Sequence, residues 1–317
     1  MKEEKKDLSV WEKYNSIEKK DMFSYCERYR NFISENKTER ECVVSMVKIL
    51  KENDYIDLKE AIKIGQPLKA GDKVYANYNN KALIMYCIGQ KPFYEGMNIL
   101  GAHIDSPRLD LKPNPLYEDS NFAMFKTHYY GGVKKYQWVA MPLALHGVIA
   151  KKTGEVVNIV IGEDINDPVV GISDLLIHLS SEQMEKKLKT AIGGEDLNIC
   201  IGTLPVINED GKDSKKTKDK VKANILKLLK EKYEIEEEDF VSAEIEVVPA
   251  GPARDYGIDR SMIMGYGQDD RVCAYASFEA HIEVKNPEKT TVGIFVDKEE
   301  IGSVGASGMK SYYFENT

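Results

Sequence analysis

The sequence predicts an α/β fold carrying a β-rich insert, and three observations lead there. Apolar runs at 97–101 and 292–296 each end in ionisable residues, His103-Ile104-Asp105 and Asp297-Lys298-Glu299-Glu300, as strands of an open α/β sheet do at their carboxyl ends. Helical periodicity flanks these runs, through Met22, Cys26, Tyr29 and Ile33 early in the chain and through Val272, Cys273, Tyr275 and Ala276 late in it. Between them, residues 120–205 hold several strand-like segments and little helix.

Taken in order, residues 18–52 read as two helices. Thr38 followed by Glu41 is a capping box that opens the second, with Val43, Val47 and Leu50 turned inward. Two strands at 73–78 and 82–88 flank Asn79-Asn80, a hairpin signal. The strand at 97–103 then brings the chain to His103. Pro107, Pro113 and Pro115 punctuate a turn-rich passage where a domain boundary is expected. Strands follow at 122–130, 139–150 and 156–161, with one short helix at 169–179. Residues 208–220 form a polar, charge-mixed loop, and 221–233 an amphipathic helix with Val221, Ile225, Leu228 and Leu229 inward. Alternation of Val241, Ala243, Ile245 and Val247 predicts a half-buried strand. At 317 residues the chain exceeds what one hydrophobic core usually serves, so more than one domain is expected.

Composition narrows the class. Hydrophobic content of 42% and charged content of 30% are those of a soluble globular protein. A net charge of -8, a pI near 5.4 and the lack of an arginine-rich tract argue against a nucleic-acid partner. No run approaches the ~18 apolar residues of a membrane span, and none is expected. The five cysteines are odd in number and lack metal-type spacing, so they read as reduced thiols and the protein as cytoplasmic.

Chemistry concentrates at three junctions. His103-Ile104-Asp105 closes one strand, Asp269-Asp270 opens a helix, and Glu299-Glu300 follows another strand before a turn rich in Gly and Ser. A lone Glu-Glu pair is ordinarily a solvated loop start. Three such junctions together offer nitrogen and oxygen donors suited to zinc or manganese. His103 can bind metal while Asp105 orients its ring. Of two neighbouring glutamates, one can hold metal while the other handles a proton.

At these residues the chain becomes recognisable. GAHIDSPRLDLKP, GYGQDDRVCAYAS and DKEEIGSVGASG resemble, motif by motif, the M18 family of metallo-aminopeptidases, whose best-known members are aspartyl aminopeptidases. The resemblance implies a zinc-exopeptidase-like catalytic domain, with a mixed sheet and flanking helices, at 1–108 and 246–317. A β-rich insert serving oligomerisation interrupts it at 109–245.

It implies roles as well. Two Zn2+ ions activate a water, Mn2+ or Co2+ being alternatives. Asp269 bridges them, His103 binds one and Glu300 the other. Glu299 is the general base and Asp105 the partner of His103, while Asp270 shapes the backbone. His178, in a segment resembling the family's insert, reaches a neighbouring subunit's active site. His128, His146 and His281 read as structural. The expected activity is removal of N-terminal residues, acidic ones being the family's best-known preference, from peptides by a homo-oligomer. A related dizinc deacylase and a catalytically impaired, oligomerising relative are the alternatives. The family pattern also includes an aspartate well after Glu-Glu and a histidine near its end, and neither residue type occurs in 301–317. The expectation for the 317-residue chain as written is therefore weak metal binding and little hydrolysis.

Overall fold

In the computed structural model, which describes residues 9–65, 67–206 and 218–317, helices α1 (Val10–Lys13), α2 (Ser16–Glu35) and α3 (Glu39–Glu52) come first. They lead through β1 (Ile56–Asp57) and α4 (Leu58–Ile64) to β2 (Lys73–Tyr78), β3 (Ala82–Cys87) and β4 (Asn98–His103). Next come β5 (Arg108–Asp119), β6 (Phe122–Tyr130), β7 (Leu143–Ala150) and β8 (Val156–Ile161). Short helices α5 (Ser181–Met184) and α6 (Leu188–Ala191) precede β9 (Ile199–Gly202), α7 (Lys220–Tyr233) and β10 (Ala243–Pro249). The hairpin β11 (Arg254–Tyr256) and β12 (Met262–Met264), helix α8 (Gln268–Ile282) and β13 (Thr291–Val296) complete the regular elements.

These strands form two main sheets. The first is mixed, ordered β1-β2-β3-β13-β4, with β13 parallel to β4 and antiparallel to β3. Helices α2, α3 and α8 cover one face through Phe32, Val43, Met46, Leu50 and Phe278, packed with Leu83 and Phe295. Tyr313 and Phe314 pack on the other face, against Ile84, Val292 and Ile294. The second sheet, β8-β7-β10-β5-β6-β9, is antiparallel throughout and has its own core, with Leu145, Ile199 and Phe240 at its centre. The architecture is α/β, as expected.

Local signals held where they were chemical. Thr38 Oγ1 accepts the Glu41 N–H at 3.2 Å, and Glu41 Oε2 accepts those of Thr38 and Lys37 at 3.0 and 2.7 Å. Asn79 and Asn80 both take positive φ, 53° and 54°, in the turn between β2 and β3. Four expectations are corrected. Pro113 and Pro115 do not end structure; they sit in β5, whose register shifts between Leu111 and Leu116, because a bulge removes the need for proline N–H donors. Residues 169–179 form no α-helix, only a 3-10 turn at Ile177–Leu179. Val170 exchanges both backbone hydrogen bonds with Leu143 and Gly171 accepts from Cys200, so a β-branched residue and a glycine pair with the sheet. In α7, Leu228 is exposed and Leu226 packs inward with Ile225 and Leu229. Val241 is exposed in a short 3-10 turn, and the strand starts at Ala243. The polar loop expected at 208–220 lies, through residue 217, outside the described residues. No helix among the described residues is long and apolar enough to cross a membrane.

Candidate metal centre

The parallel pairing of β4 and β13 places His103 directly opposite Val296, so both strands open on one rim. Ile104 N–H extends the ladder by one bond, to Val296 O at 2.9 Å. Beyond the strands the two chains cross-link. Asp105, fully buried, accepts the backbone N–H of Glu299 on Oδ1 at 3.3 Å and that of Glu300 on Oδ2 at 3.2 Å. The two glutamates lie on a 3-10 turn, Glu299–Ile301, entered through Lys298 in the left-handed region at φ 72°. Buried Asp297 accepts the Lys298 N–H at 2.7 Å and the Ser307 hydroxyl at 2.6 Å, which folds the Gly/Ser-rich turn back onto the strand end.

The third contribution arrives on α8. Its fully buried Arg271 donates to Ile104 O at 3.0 Å, Asn36 O at 3.3 Å and Lys37 O at 2.9 Å, fastening the helix start to the end of β4 and to the α2–α3 corner. Asp269 precedes the helical run with φ -89° and ψ 110°, and its peptide bond to Asp270 is cis. The Ser106 hydroxyl donates to Asp269 O at 2.9 Å.

The outcome is a cluster. One ligand atom each of His103, Asp269 and Glu300 lies within 4.8 Å of the others. His103 Nε2 is 3.3 Å from Asp269 Oδ1 and 3.8 Å from Glu299 Oε2. Two ligands of one tetrahedral zinc, each ~2.1 Å from it, sit ~3.4 Å apart. The donor set therefore fits zinc in both element type and spacing. On its far side, His103 Nδ1 lies 3.0 Å from Asp105 O and 3.3 Å from Asp105 Oδ1, the second of these being the pairing expected of a ring-orienting carboxylate. A cleft of about 360 Å³ adjoins Asp269, lined by Ser106, Gly132, Lys134, Trp138 and Tyr266 among others.

The electrostatics follow from this crowding. Burial works against a charged His103, yet hydrogen bonding and attraction to Asp105, reinforced by Glu299, raise it to about 9. Burial raises the Glu300 carboxyl, opposed by His103 and aided by Asp105, Asp269 and Glu299. Asp105 is held below the usual carboxylate range despite burial, through hydrogen bonds from His103, Tyr130 and the Glu300 N–H.

Of the six residues singled out in the sequence, five meet here: His103, Asp105, Asp269, Glu299 and Glu300. His178 does not. It is exposed on a 3-10 turn, Ile177–Leu179, outside the cluster and among the exposed apolar residues Leu175, Leu176, Ile177 and Leu179. His146 and His281 are satisfied inside the fold, the first between Glu41 and Glu163 at 2.8 and 3.0 Å, the second beside Thr291 Oγ1 at 3.3 Å. His128 stacks on Tyr129. Sequence reasoning missed Arg271, Ser106 and Tyr130. Arg271 follows the Asp-Asp pair directly, and an arginine just inside a largely apolar helix face was the available signal. For Tyr130, in a different sheet, no sequence signal exists.

A rim of parallel strand ends that gathers an imidazole and several carboxylates is a donor set that could hold a metal ion on an α/β protein. More narrowly, the chain belongs to the M18 family: the family model described as Aminopeptidase I zinc metalloprotease (M18) matches residues 32–317. The chain is 60% identical over 309 residues to a probable M18 family aminopeptidase 1 of Clostridium acetobutylicum, an alignment covering 98% of this chain and 65% of that relative. The crystal structure of aminopeptidase I from the same species matches with 56% identity and a TM-score of 0.88, over 98% of this chain and 67% of that one. An M18-family aminopeptidase crystal structure from Thermotoga maritima matches with 43% identity and a TM-score of 0.89, over 98% and 65%. The chain thus spans about two thirds of the length of the relatives it matches.

Proposed function

We propose that this chain carries the metal-binding and proton-transfer residues of a zinc aminopeptidase acting on peptide N-termini. The observation that carries the reading is the convergence of His103, Asp269 and Glu300, with Glu299 alongside, on the rim formed by β4 and β13. When zinc is bound, His103 and Glu300 would each hold an ion, and Asp269, exposed over 85% of its side chain and 3.3 Å from His103, would be the ligand they share. Bound zinc supplies a polarised carbonyl and a water acidic enough to ionise near neutral pH. Mn2+ or Co2+ suits the same donors. Asp105 keeps the His103 ring turned to present Nε2. Glu299, 57% exposed and paired among the described residues with His103 alone, takes the proton from the attacking water and returns it to the leaving amine.

The reading extends to assembly. Residues 109–245 form an insert between the two catalytic pieces, and its exposed Leu175, Leu176, Ile177 and Leu179 supply an apolar surface for self-association. His178, on that surface, serves a neighbouring subunit's site. Acidic N-terminal residues are the preferred substrates, and the protein works in the reducing cytoplasm, where its five unpaired cysteines persist.

Metal-dependent turnover tests the core of this. In the full-length protein, a chelator should abolish hydrolysis of aminoacyl reporters and zinc should restore it. Glu299→Gln should retain zinc and lose ~10²–10⁴-fold in kcat. Near-normal turnover by that variant removes Glu299 from the chemistry, and chelator-resistant activity removes the metal.

A further inference from the structure

The second sheet reaches into the site, and does so at one point, the end of β6. Tyr130, only 6% exposed, donates its hydroxyl hydrogen to Asp105 Oδ2 at 2.7 Å. That is the shortest of the four polar contacts the carboxylate makes with His103, Tyr130, Glu299 and Glu300, the others being 3.2 to 3.3 Å. The ring itself is clamped: the Arg108 guanidinium carbon lies 3.8 Å from its centroid and the Lys298 ammonium 5.3 Å. Immediately after it, Gly131 at φ 72° lies against Glu300, where an added Cβ would stand 3.0 Å from both Glu300 Cβ and Oε2.

We propose that Tyr130 is a positioning residue for the metal centre, seconded by Gly131. A carboxylate can rotate about its Cβ–Cγ bond, and the two backbone N–H groups at 3.2 and 3.3 Å bind it loosely. The short bond from a clamped phenol fixes that rotation, which in turn fixes the His103 ring and the turn bearing Glu299 and Glu300. Partners of this kind, one bond removed from the metal, typically govern ~10–100-fold in metal affinity or activity. Gly131 supplies the other wall: at φ 72°, which L side chains rarely adopt, an added Cβ would press on Glu300 and shift it by a few tenths of an ångström. The inference rests on the metal reading above. It adds that the metal geometry depends on the second sheet.

The test uses Tyr130→Phe in the full-length protein, which deletes the hydroxyl and keeps the ring between Arg108 and Lys298. Cobalt titration, followed by the visible spectrum of the bound ion, is compared with the parent, together with steady-state kinetics and the melting temperature without metal. Expected are a ~10–100-fold weaker cobalt affinity, an altered cobalt spectrum and a fall in kcat with KM within about twofold. The metal-free melting temperature should fall modestly, because the buried Asp105 carboxylate loses one partner and keeps the Glu299 and Glu300 N–H groups. A purely structural role would lower the melting temperature and leave cobalt affinity and spectrum alone, and that result overturns the proposal, as does a variant identical to its parent. Should Tyr130→Phe fold poorly, Gly131→Ala carries the same expectation for affinity and spectrum through Glu300, and unchanged cobalt binding there overturns the proposal equally. A parent that binds no cobalt defeats the metal reading itself, and this inference with it.

Discussion

Two triads in this molecule look alike in the spacing of their donor atoms and are opposites in how their charge is compensated. Glu39, Glu244 and Glu246 bring carboxylate oxygens within 4.8 Å of one another, as do the donor atoms of His103, Asp269 and Glu300. The first triad is already filled by the protein's own cations. Lys81 contacts both Glu39 and Glu244, while Arg108 lies 3.2 Å from Glu39, 3.2 Å from Glu246 and 2.7 Å from Asp110. Glu39, Glu246, Lys81 and Arg108 are all buried. Despite burial, Arg108 and Lys81 hold Glu39 well below the ordinary carboxylate range, whereas burial pushes Glu246 well above it. At the second triad, no lysine or arginine forms an ion pair with Asp269 or Glu300 among the described residues, and the nearby Lys298 turns to Asp297 at 3.4 Å instead. A group of carboxylates becomes a metal site when its charge is left uncompensated and open to solvent. Counting acidic residues does not distinguish the two.

The largest effect should come from removing the internal cation. Lys81→Met leaves the fully buried Glu39 with Arg108 as its one remaining cation among the described residues, and breaking a buried charge pair by deleting one partner costs about 3–5 kcal/mol. Urea unfolding should show that loss, with zinc affinity at the rim unchanged. An unaltered unfolding midpoint would mean that the buried network contributes specificity alone, and the contrast drawn above would fail.

The mirror-image signature is expected at the rim. Asp269→Asn should weaken zinc binding by ~100-fold or more, since replacing a direct ligand exceeds the ~10–100-fold cost of a supporting partner. The metal-free protein should be no less stable than its parent, because one member of a like-charged group has been neutralised. Isothermal titration and apo-protein melting measure the two arms. A variant that loses stability and keeps zinc would place Asp269 with the structural carboxylates.

The sequence disclosed one triad and hid the other, for a physical reason. His103, Asp269 and Glu300 each stand at the end or start of an element, where an ionisable residue beside an apolar run is conspicuous, and a parallel strand pair brings such ends together. Glu244 and Glu246 sit inside β10, where a charged residue reads as solvent-facing, and Glu39 opens α3, where an acidic residue in the first turn is ordinary helix-start chemistry. Glu39 and Glu246 are buried where α3, the β2–β3 turn and the second sheet share Lys81 and Arg108, which no local pattern records. Tyr130 was hidden in the same way, by a contact between residues of different sheets. Segment 169–179 was misread because Leu175, Leu176 and Leu179 supply helical spacing while Val170 and Gly171 pair with strands instead.

A smaller effect separates the two ends of β13. Its carboxyl end meets His103, raised to about 9 by Asp105 in spite of burial. Thr291, at its amino end, meets His281, which is 2% exposed, pairs with no carboxylate among the described residues and is lowered to about 4 by burial and by the ammonium of Lys73. Above the unfolded imidazole value near 6.5 both states are neutral there, so His281 has no influence on stability. As pH falls below 6.5 the unfolded chain takes up a proton that the folded chain refuses until about 4, so stability is lost across that window. By pH 5 the loss attributable to this one residue is about 2 kcal/mol. Carboxylates and other histidines titrate in the same range, so the measurement is a difference: urea unfolding of the parent and of His281→Gln at pH 7.5 and pH 5. The glutamine variant should lose about 2 kcal/mol less than the parent between the two values. Parallel losses would show that His281 is hydrated or paired when protonated, and the end of the sheet remote from the metal would then also accept charge.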